Sequence, residues 1–267
     1  MLLFDALVAA HIVTGATGLV SLWGPVVTRN GSRLHKLWGR IFVYSMLSTG
    51  AIALGISMCS LYAPLETHPF SDDKAFIRGM FGWMMLYLGI LTVALAWHSF
   101  ASVRNKRDHA ANRTVLKFGL QVALGISALY CAAYGIAIGQ YLMVGVAAPG
   151  LAAAILNSLF LAERAPAHDE WLVQHFRAGI GAGISVYTAF LAFGAVNWFP
   201  ALAFNAVLWT VPTILGVGYM IRHQWKVFRQ RQRAGRSAEM LWGRHLDTLV
   251  PLRRRSPKRS TASTNPR

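Results

Sequence analysis

Cysteine and charged residues are scarce in this sequence. Two cysteines in 267 residues exclude a scaffold held together by disulfides. Charged residues make up only 13% of the chain, whereas a soluble domain typically has roughly 25%. Hydrophobic residues make up 55%. This balance excludes an ordinary soluble domain and a largely disordered chain, and it indicates a multi-pass membrane protein.

Signatures of common catalytic and transport sites are also missing from the sequence. There is no Gly-rich phosphate loop, no metalloprotease motif and no nucleophile elbow. No pair of Asp or Glu residues falls inside the apolar stretches, where a cation-coupled transporter would need one. The sequence therefore gives no direct indication of an enzymatic reaction.

Seven apolar stretches are long enough to cross a bilayer as helices, which takes about 20 residues each. They are too long and too continuously apolar to be strands of a membrane barrel. The first stretch is preceded by Asp5 rather than by basic residues, so we do not expect a cleavable signal peptide. We predict an all-α fold, a single bundle of seven transmembrane helices at residues 6–27, 41–62, 76–101, 118–139, 142–162, 178–198 and 201–221.

Lysine and arginine in the connecting segments predict the orientation of the bundle. Basic residues concentrate on the cytoplasmic side of membrane proteins. With seven spans, the segments on one side of the membrane carry 24 basic residues and those on the other side carry 2. We therefore predict a multi-pass protein of the cell inner (plasma) membrane, with the N-terminus outside and the C-terminus in the cytoplasm.

The C-terminal segment is strongly basic, with 13 basic and 2 acidic residues over Arg222–Arg267. We predict a transmembrane domain at residues 1–222, a basic juxtamembrane segment with an interfacial amphipathic helix at 223–252, and a disordered tail at 253–267. The tail is expected to bind anionic phospholipids of the bilayer. Nucleic-acid binding is the other interpretation of so basic a segment, but we expect no nucleic acid, because the orientation already accounts for the charge.

Two histidines are expected near the cytoplasmic ends of spans, at similar depth. His35 precedes the second span and His175 opens the sixth. Imidazole is a ligand of haem iron and of transition metals, so the two are candidates for a haem, quinone or metal site. Arg40 and Arg177 follow them closely, and such a cationic rim suits a quinone, a haem propionate or a lipid phosphate. The alternative is that these residues bind lipid headgroups separately.

Two further histidines lie inside predicted spans, and the sequence leaves their roles undecided. His98 lies near the inner end of the third span, and the sequence does not decide whether it joins His35 and His175. His11 lies in the outer part of the first span, and His68 of the following outer loop is placed to fold over it. An ionisable residue inside a membrane is a candidate for a functional site; for His11 the alternative is a satisfied, buried hydrogen bond.

Four phrases of the sequence resemble a family of uncharacterised bacterial inner-membrane proteins with a domain of unknown function. They are HIVTGATGLVSLWG at 11–24, GSRLHKLWGRIFVYSM at 31–46, EWLVQHFRAGIGAGISVYTAF at 170–190 and VPTILGVG at 211–218. The family has an early His in its first span, an H-[RK]-x-x-G element opening the second, and a W-x-x-x-H element opening a late span. The resemblance covers about residues 7–226, with Lys36 where Arg is usual and Ala178 where Met is frequent. It implies importance for His11, His35, Gly39, Trp171, His175, Thr188, Pro212 and Thr213.

Two functions follow from the sequence and stay open at this point. The first is a non-catalytic membrane protein: a partner subunit of other membrane proteins, an assembly factor or a small-molecule carrier. The second is a membrane redox component that binds haem b or quinone through the inner-face histidines. For the second, we predict that His35 and His175 come close enough to share one ligand.

Overall fold

The computed structural model describes residues 2–194 and 206–249, and no strand occurs among them. The predicted all-α class is therefore confirmed. The α-helices are α1 (Leu2–Ser21), α2 (Trp23–Val27), α3 (Arg33–Tyr62), α4 (Pro64–Thr67), α5 (Lys74–Ile77), α6 (Met84–Asn105), α7 (Val115–Ala137), α8 (Tyr141–Ala162), α9 (Glu170–Ala189) and α10 (Ala206–Leu249). Two π-helical segments, Arg78–Trp83 and Phe190–Gly194, and a 3₁₀ turn, Ala110–Asn112, complete the order.

Five helical stretches in the described part of the chain are long and apolar enough to cross a membrane. They coincide with the first five predicted spans, and they are Leu2–Val27, Arg33–Tyr62, Lys74–Asn105, Val115–Ala137 and Tyr141–Ala162. This supports a membrane-embedded protein. The sixth and seventh predicted spans, 178–198 and 201–221, both extend into residues 195–205, which lie outside the described residues.

Local sequence signals account for the helix ends. Ser32 caps α3 by accepting a hydrogen bond from the His35 amide, and Thr114 caps α7 by accepting one from the Lys117 amide. Such caps satisfy amides that have no partner inside their own helix. After α7 the chain reverses at Gly139, whose φ of 70° glycine adopts without steric cost. The reversal brings α8 back along α7.

Helix α6 lies at the centre of the core and packs against α3, α7, α8 and α9. Its buried face includes Met84, Tyr87 and Ala94, none of which has any exposed surface. Two glycines bring α3 and α6 together: a Cβ added to Gly50 would lie 3.0 Å from the Gly89 carbonyl oxygen. This close crossing is typical of membrane helices, where small residues allow backbones to approach.

The chain divides into two compact units, Met1–Ile221 and Arg222–Arg267. In the second unit the described residues belong to α10, which ends at Leu249. There the Arg229 guanidinium lies over the Trp225 ring, 5.6 Å from its centroid. The predicted disordered tail, 253–267, lies outside the described residues.

Candidate functional site

His175 is held on α9 by the backbone of α6. Helix α9 begins at Glu170, eight residues before the predicted start of the sixth span, so His175 lies in its second turn. The His175 Nδ1 atom is 3.1 Å from the Ser99 carbonyl oxygen, and the Ser99 hydroxyl donates to the His175 carbonyl at 2.9 Å. Because a carbonyl oxygen can only accept, Nδ1 carries the hydrogen. The neutral ring then presents Nε2 as an acceptor.

His35 has the same arrangement at the beginning of α3. Its Nδ1 atom is 3.2 Å from the Pro25 carbonyl oxygen, so Nδ1 again donates and Nε2 is left as the acceptor. The pKa of His175 is lowered mainly by burial and to a smaller degree by the nearby His35 ring. The structure therefore brings these two predicted residues into the same region, with matching tautomers; that they share one ligand stays a prediction.

The two predicted arginines donate hydrogen bonds to residues other than His35 and His175. Arg40 is exposed, and its Nε donates to the Lys36 carbonyl oxygen of its own helix at 3.3 Å. Arg177 lies two positions after His175, about 200° around the helix, and it faces α8. Its guanidinium donates to Asn157 Oδ1 at 3.2 Å and to Gln174 Oε1 at 2.6 Å. A common cationic rim of Arg40 and Arg177 around His35 and His175 stays a prediction.

Arg177 belongs instead to a buried polar network that the sequence analysis missed. Its centre is Gln174, which is 3% exposed. The Gln174 Oε1 atom lies 3.2 Å from His98 Nε2, and its Nε2 atom donates to Glu170 Oε1 at 2.8 Å. His98 therefore pairs with Gln174 rather than with His35 or His175. The available signal was the spacing of Glu170, Gln174 and Arg177, which places all three on one helix face.

A separate cavity of about 570 Å³ lies between α1, α3, α6 and α9. Its lining is mostly apolar and aromatic, and along α1 it reaches from Phe4 to Leu19. At a rise of about 1.5 Å per residue this corresponds to a length of about 22 Å. His11 and His68 both line this cavity, as expected if the outer loop folds over His11.

The polar atoms of this cavity include two side-chain groups with unused hydrogen-bonding capacity. His11 Nδ1 is 3.2 Å from the Thr49 carbonyl oxygen, which leaves Nε2 as an acceptor. Thr49 is 6% exposed, and its hydroxyl is buried without a hydrogen-bond partner among the described residues. A buried hydroxyl without a partner costs free energy. The pair of groups is therefore complementary to a ligand that both donates and accepts a hydrogen bond.

His68 closes one end of the cavity within a group of aromatic rings. Its ring centroid lies 4.2 Å from that of Phe81 and 5.6 Å from that of Phe4. Its Nδ1 atom is 3.0 Å from the Thr67 hydroxyl oxygen, whose hydrogen is directed to the Ala63 carbonyl oxygen. Burial lowers the pKa of His68 to about 4, so the ring is neutral at neutral pH and also presents Nε2 as an acceptor.

Comparisons with family models, with curated proteins and with solved structures gave no match. The resemblance to uncharacterised inner-membrane proteins stays a prediction. Across residues 2–194 and 206–249, no three His, Cys, Asp or Glu side chains are grouped so as to hold a metal ion. The cavity with His11 and Thr49 and the pair His35 and His175 are two candidate sites.

Proposed function

We propose that this chain is a membrane-embedded binding protein for a prenylated hydroquinone, acting as a small-molecule carrier or as a partner subunit of other membrane proteins. The observation that carries the proposal is the cavity between α1, α3, α6 and α9. Its volume of about 570 Å³ falls in the range of small-molecule sites, which is roughly 300–1,000 Å³. Its length and apolar lining suit a prenyl tail.

The polar atoms of the cavity favour the reduced form of such a ligand. A hydroquinone hydroxyl can donate to His11 Nε2 and at the same time accept from the Thr49 hydroxyl. The other two hydroxyls that line the cavity already have hydrogen-bond partners. Thr92 donates to the Leu88 carbonyl oxygen, and Ser185 donates to the Thr92 hydroxyl oxygen across 2.9 Å. A quinone has only acceptors and can use Thr49 alone, so we expect weaker binding of the oxidised form.

The test is binding of a hydroquinone and of its quinone to the purified protein, together with a variant that fills the cavity. Gly15 lines the cavity, and a Cβ there meets only Thr49 Cγ2, at 3.8 Å, so Gly15→Leu places a side chain in the cavity without a backbone clash. We expect this variant to lose at least tenfold in affinity. Gly119→Leu is the matched control, because Gly119 is exposed on α7 with no neighbour within 4 Å of an added Cβ.

A second pair of variants tests the head-group contact. Thr49→Val removes the hydroxyl without a partner, whereas Thr17→Val changes an exposed threonine of α1 that bonds only to the Val13 carbonyl oxygen. We expect Thr49→Val to weaken hydroquinone binding about tenfold, corresponding to one lost hydrogen bond, and Thr17→Val to leave it unchanged. Equal affinities for Gly15→Leu and Gly119→Leu would refute the proposal.

A second candidate function is haem binding, and the matched tautomers of His35 and His175 support it. A histidine that ligates a metal usually donates its other ring hydrogen to a carbonyl or carboxylate, and here Pro25 and Ser99 supply those carbonyls. Haem b would be held through both Nε2 atoms. The absorption spectrum of the purified protein decides this: a Soret band lost in His175→Ala favours haem, and a protein without visible absorption refutes it.

The seven-span topology is part of the proposal, with the N-terminus outside, the C-terminus in the cytoplasm and the inner membrane as location. It is supported by the positions of the 26 basic residues. A reporter fused after Ile221 should be active in the cytoplasm, and a reporter inserted at residues 67–72 should be active outside. If both reporters are active on the same side, the number of spans between residues 67–72 and Ile221 is even. The proposed topology and orientation are then wrong.

A further inference from the structure

A second pocket, independent of the proposed function, lies where two helix connections meet. It has a volume of about 360 Å³ and is lined by residues of the α6–α7 and α8–α9 connections. Three cationic side chains line it: Lys106, Arg107 and Arg164. All three are exposed, and none of their side chains forms a hydrogen bond or an ion pair with the described residues.

The pocket is partly enclosed, and aromatic side chains form part of its wall. Phe160 is buried and Trp171 is half-buried, and both line the pocket. His109 also lines it. The ring of His109 packs on that of Phe160 with centroids 4.8 Å apart, and its Nε2 atom donates to the Glu163 carbonyl oxygen at 2.9 Å. The remaining His109 nitrogen, Nδ1, is buried without a partner in the described part of the chain.

Further positive charge lies deeper in the same end of the bundle. The ring of His98, 2% exposed, also contacts Phe160, with centroids 5.7 Å apart. Lys117 and Arg177 both interact electrostatically with His98. Lys117 is 4% exposed, and its ammonium group donates to an amide, Asn112 Oδ1, rather than to a carboxylate. Glu170 partly compensates the charge of Arg177, and the remaining positive charge raises the potential at the pocket and attracts anions.

We propose that this pocket is a binding site for a phosphate group. Two guanidinium groups and one ammonium group can surround the oxygens of a phosphate, and arginine pairs with it in bidentate geometry. The volume exceeds that of a phosphate alone, so the pocket accommodates a substituent against Trp171 and Phe160. Both a phospholipid headgroup and a soluble phosphate have this chemistry.

The experiment measures thermal unfolding of the full chain in neutral detergent. The probes are inorganic phosphate, a short-chain phosphatidylglycerol, and sodium chloride at matched ionic strength. We expect one or both phosphate probes to raise the unfolding temperature of the wild type above the chloride value. A response to inorganic phosphate assigns a soluble ligand, and a response to the lipid alone assigns a headgroup.

The variant K106Q/R107Q/R164Q should need at least tenfold more phosphate probe for the same shift. Its matched control is R29Q/R33Q/K36Q, which removes two arginines and one lysine, all exposed, from the connection before α3 and the first turn of α3. If the triple variant does not fold, Arg164→Gln is compared with Arg104→Gln, an exposed arginine at the end of α6. Equal responses of pocket and control variants, or no response beyond chloride, would overturn the proposal.

Discussion

Replacing Gln174 by leucine is expected to lower the free energy of unfolding by about 3 kcal/mol, because the substitution removes partners from buried polar and charged groups. Gln174 accepts from His98 and Arg177 and donates to Glu170. Leucine has a similar volume but no polar atom, so the His98 Nε2–H group loses its hydrogen-bond partner. Among the described residues, Arg177 then keeps Asn157 as its remaining hydrogen-bond acceptor. Thermal unfolding in detergent measures the effect.

Two further variants separate this network effect from a general effect of the substitution. Gln230→Leu changes an exposed glutamine of α10 and should leave stability unchanged. The double variant Gln174→Leu with His98→Phe should cost less than the sum of the two single variants, because they remove the two ends of one hydrogen bond. Additive losses would show that the contact between Gln174 and His98 contributes nothing.

Replacing Gly150 by alanine is expected to destabilise the contact between α6 and α8 by about 2–3 kcal/mol through overpacking. An added Cβ would lie 2.7 Å from Tyr87 Cε2 and 2.8 Å from Tyr87 Cζ, well inside van der Waals contact. Tyr87 has no exposed surface, and its hydroxyl donates to the Val146 carbonyl oxygen of α8 at 2.9 Å. The aromatic ring therefore cannot move away without breaking that bond.

The control for this substitution lies on the same helix. Gly145 of α8 is exposed, and an added Cβ there has no neighbour within 4 Å, so Gly145→Ala should be neutral or slightly stabilising. The variant Tyr87→Phe should restore part of the stability lost in Gly150→Ala, since it removes the Tyr87 hydroxyl oxygen, which is the atom closest to the added Cβ. An unfolding temperature for Gly150→Ala equal to that of Gly145→Ala would contradict the predicted clash.

The sequence predicted the helices well because helix formation in each of these segments depends on properties of that segment alone. A run of about 20 apolar residues must satisfy its backbone hydrogen bonds within itself in lipid, and only the helix does so along a single segment. The first five predicted spans therefore coincide with apolar helices. The start of α9 was predicted less well, because Glu170, Gln174, His175 and Arg177 interrupt the apolar run there. Their helix depends on contacts with α6 and α8 that hydropathy does not reveal.

The site was only partly predictable. The sequence singled out His11, His35 and His175 as residues of interest, but proximity in sequence was misleading for Arg177, which faces away from His175 toward Asn157. Gln174 was overlooked because its spacing from Glu170 and Arg177 places the three on one helix face but does not show what that face contacts. Its importance comes from the three partners that packing places around it.

Composition and the length of the apolar runs determined by themselves that this chain is helical and embedded in a membrane, because bilayer thickness and backbone hydrogen bonding act on each segment independently. Only the tertiary structure decided which ring nitrogen of His11 and of His175 carries the hydrogen. In both His11 and His175 it is set by a carbonyl oxygen of a neighbouring helix. The cavity beside His11 and Thr49 likewise arises from the packing of four helices, and no property of any one helix specifies it.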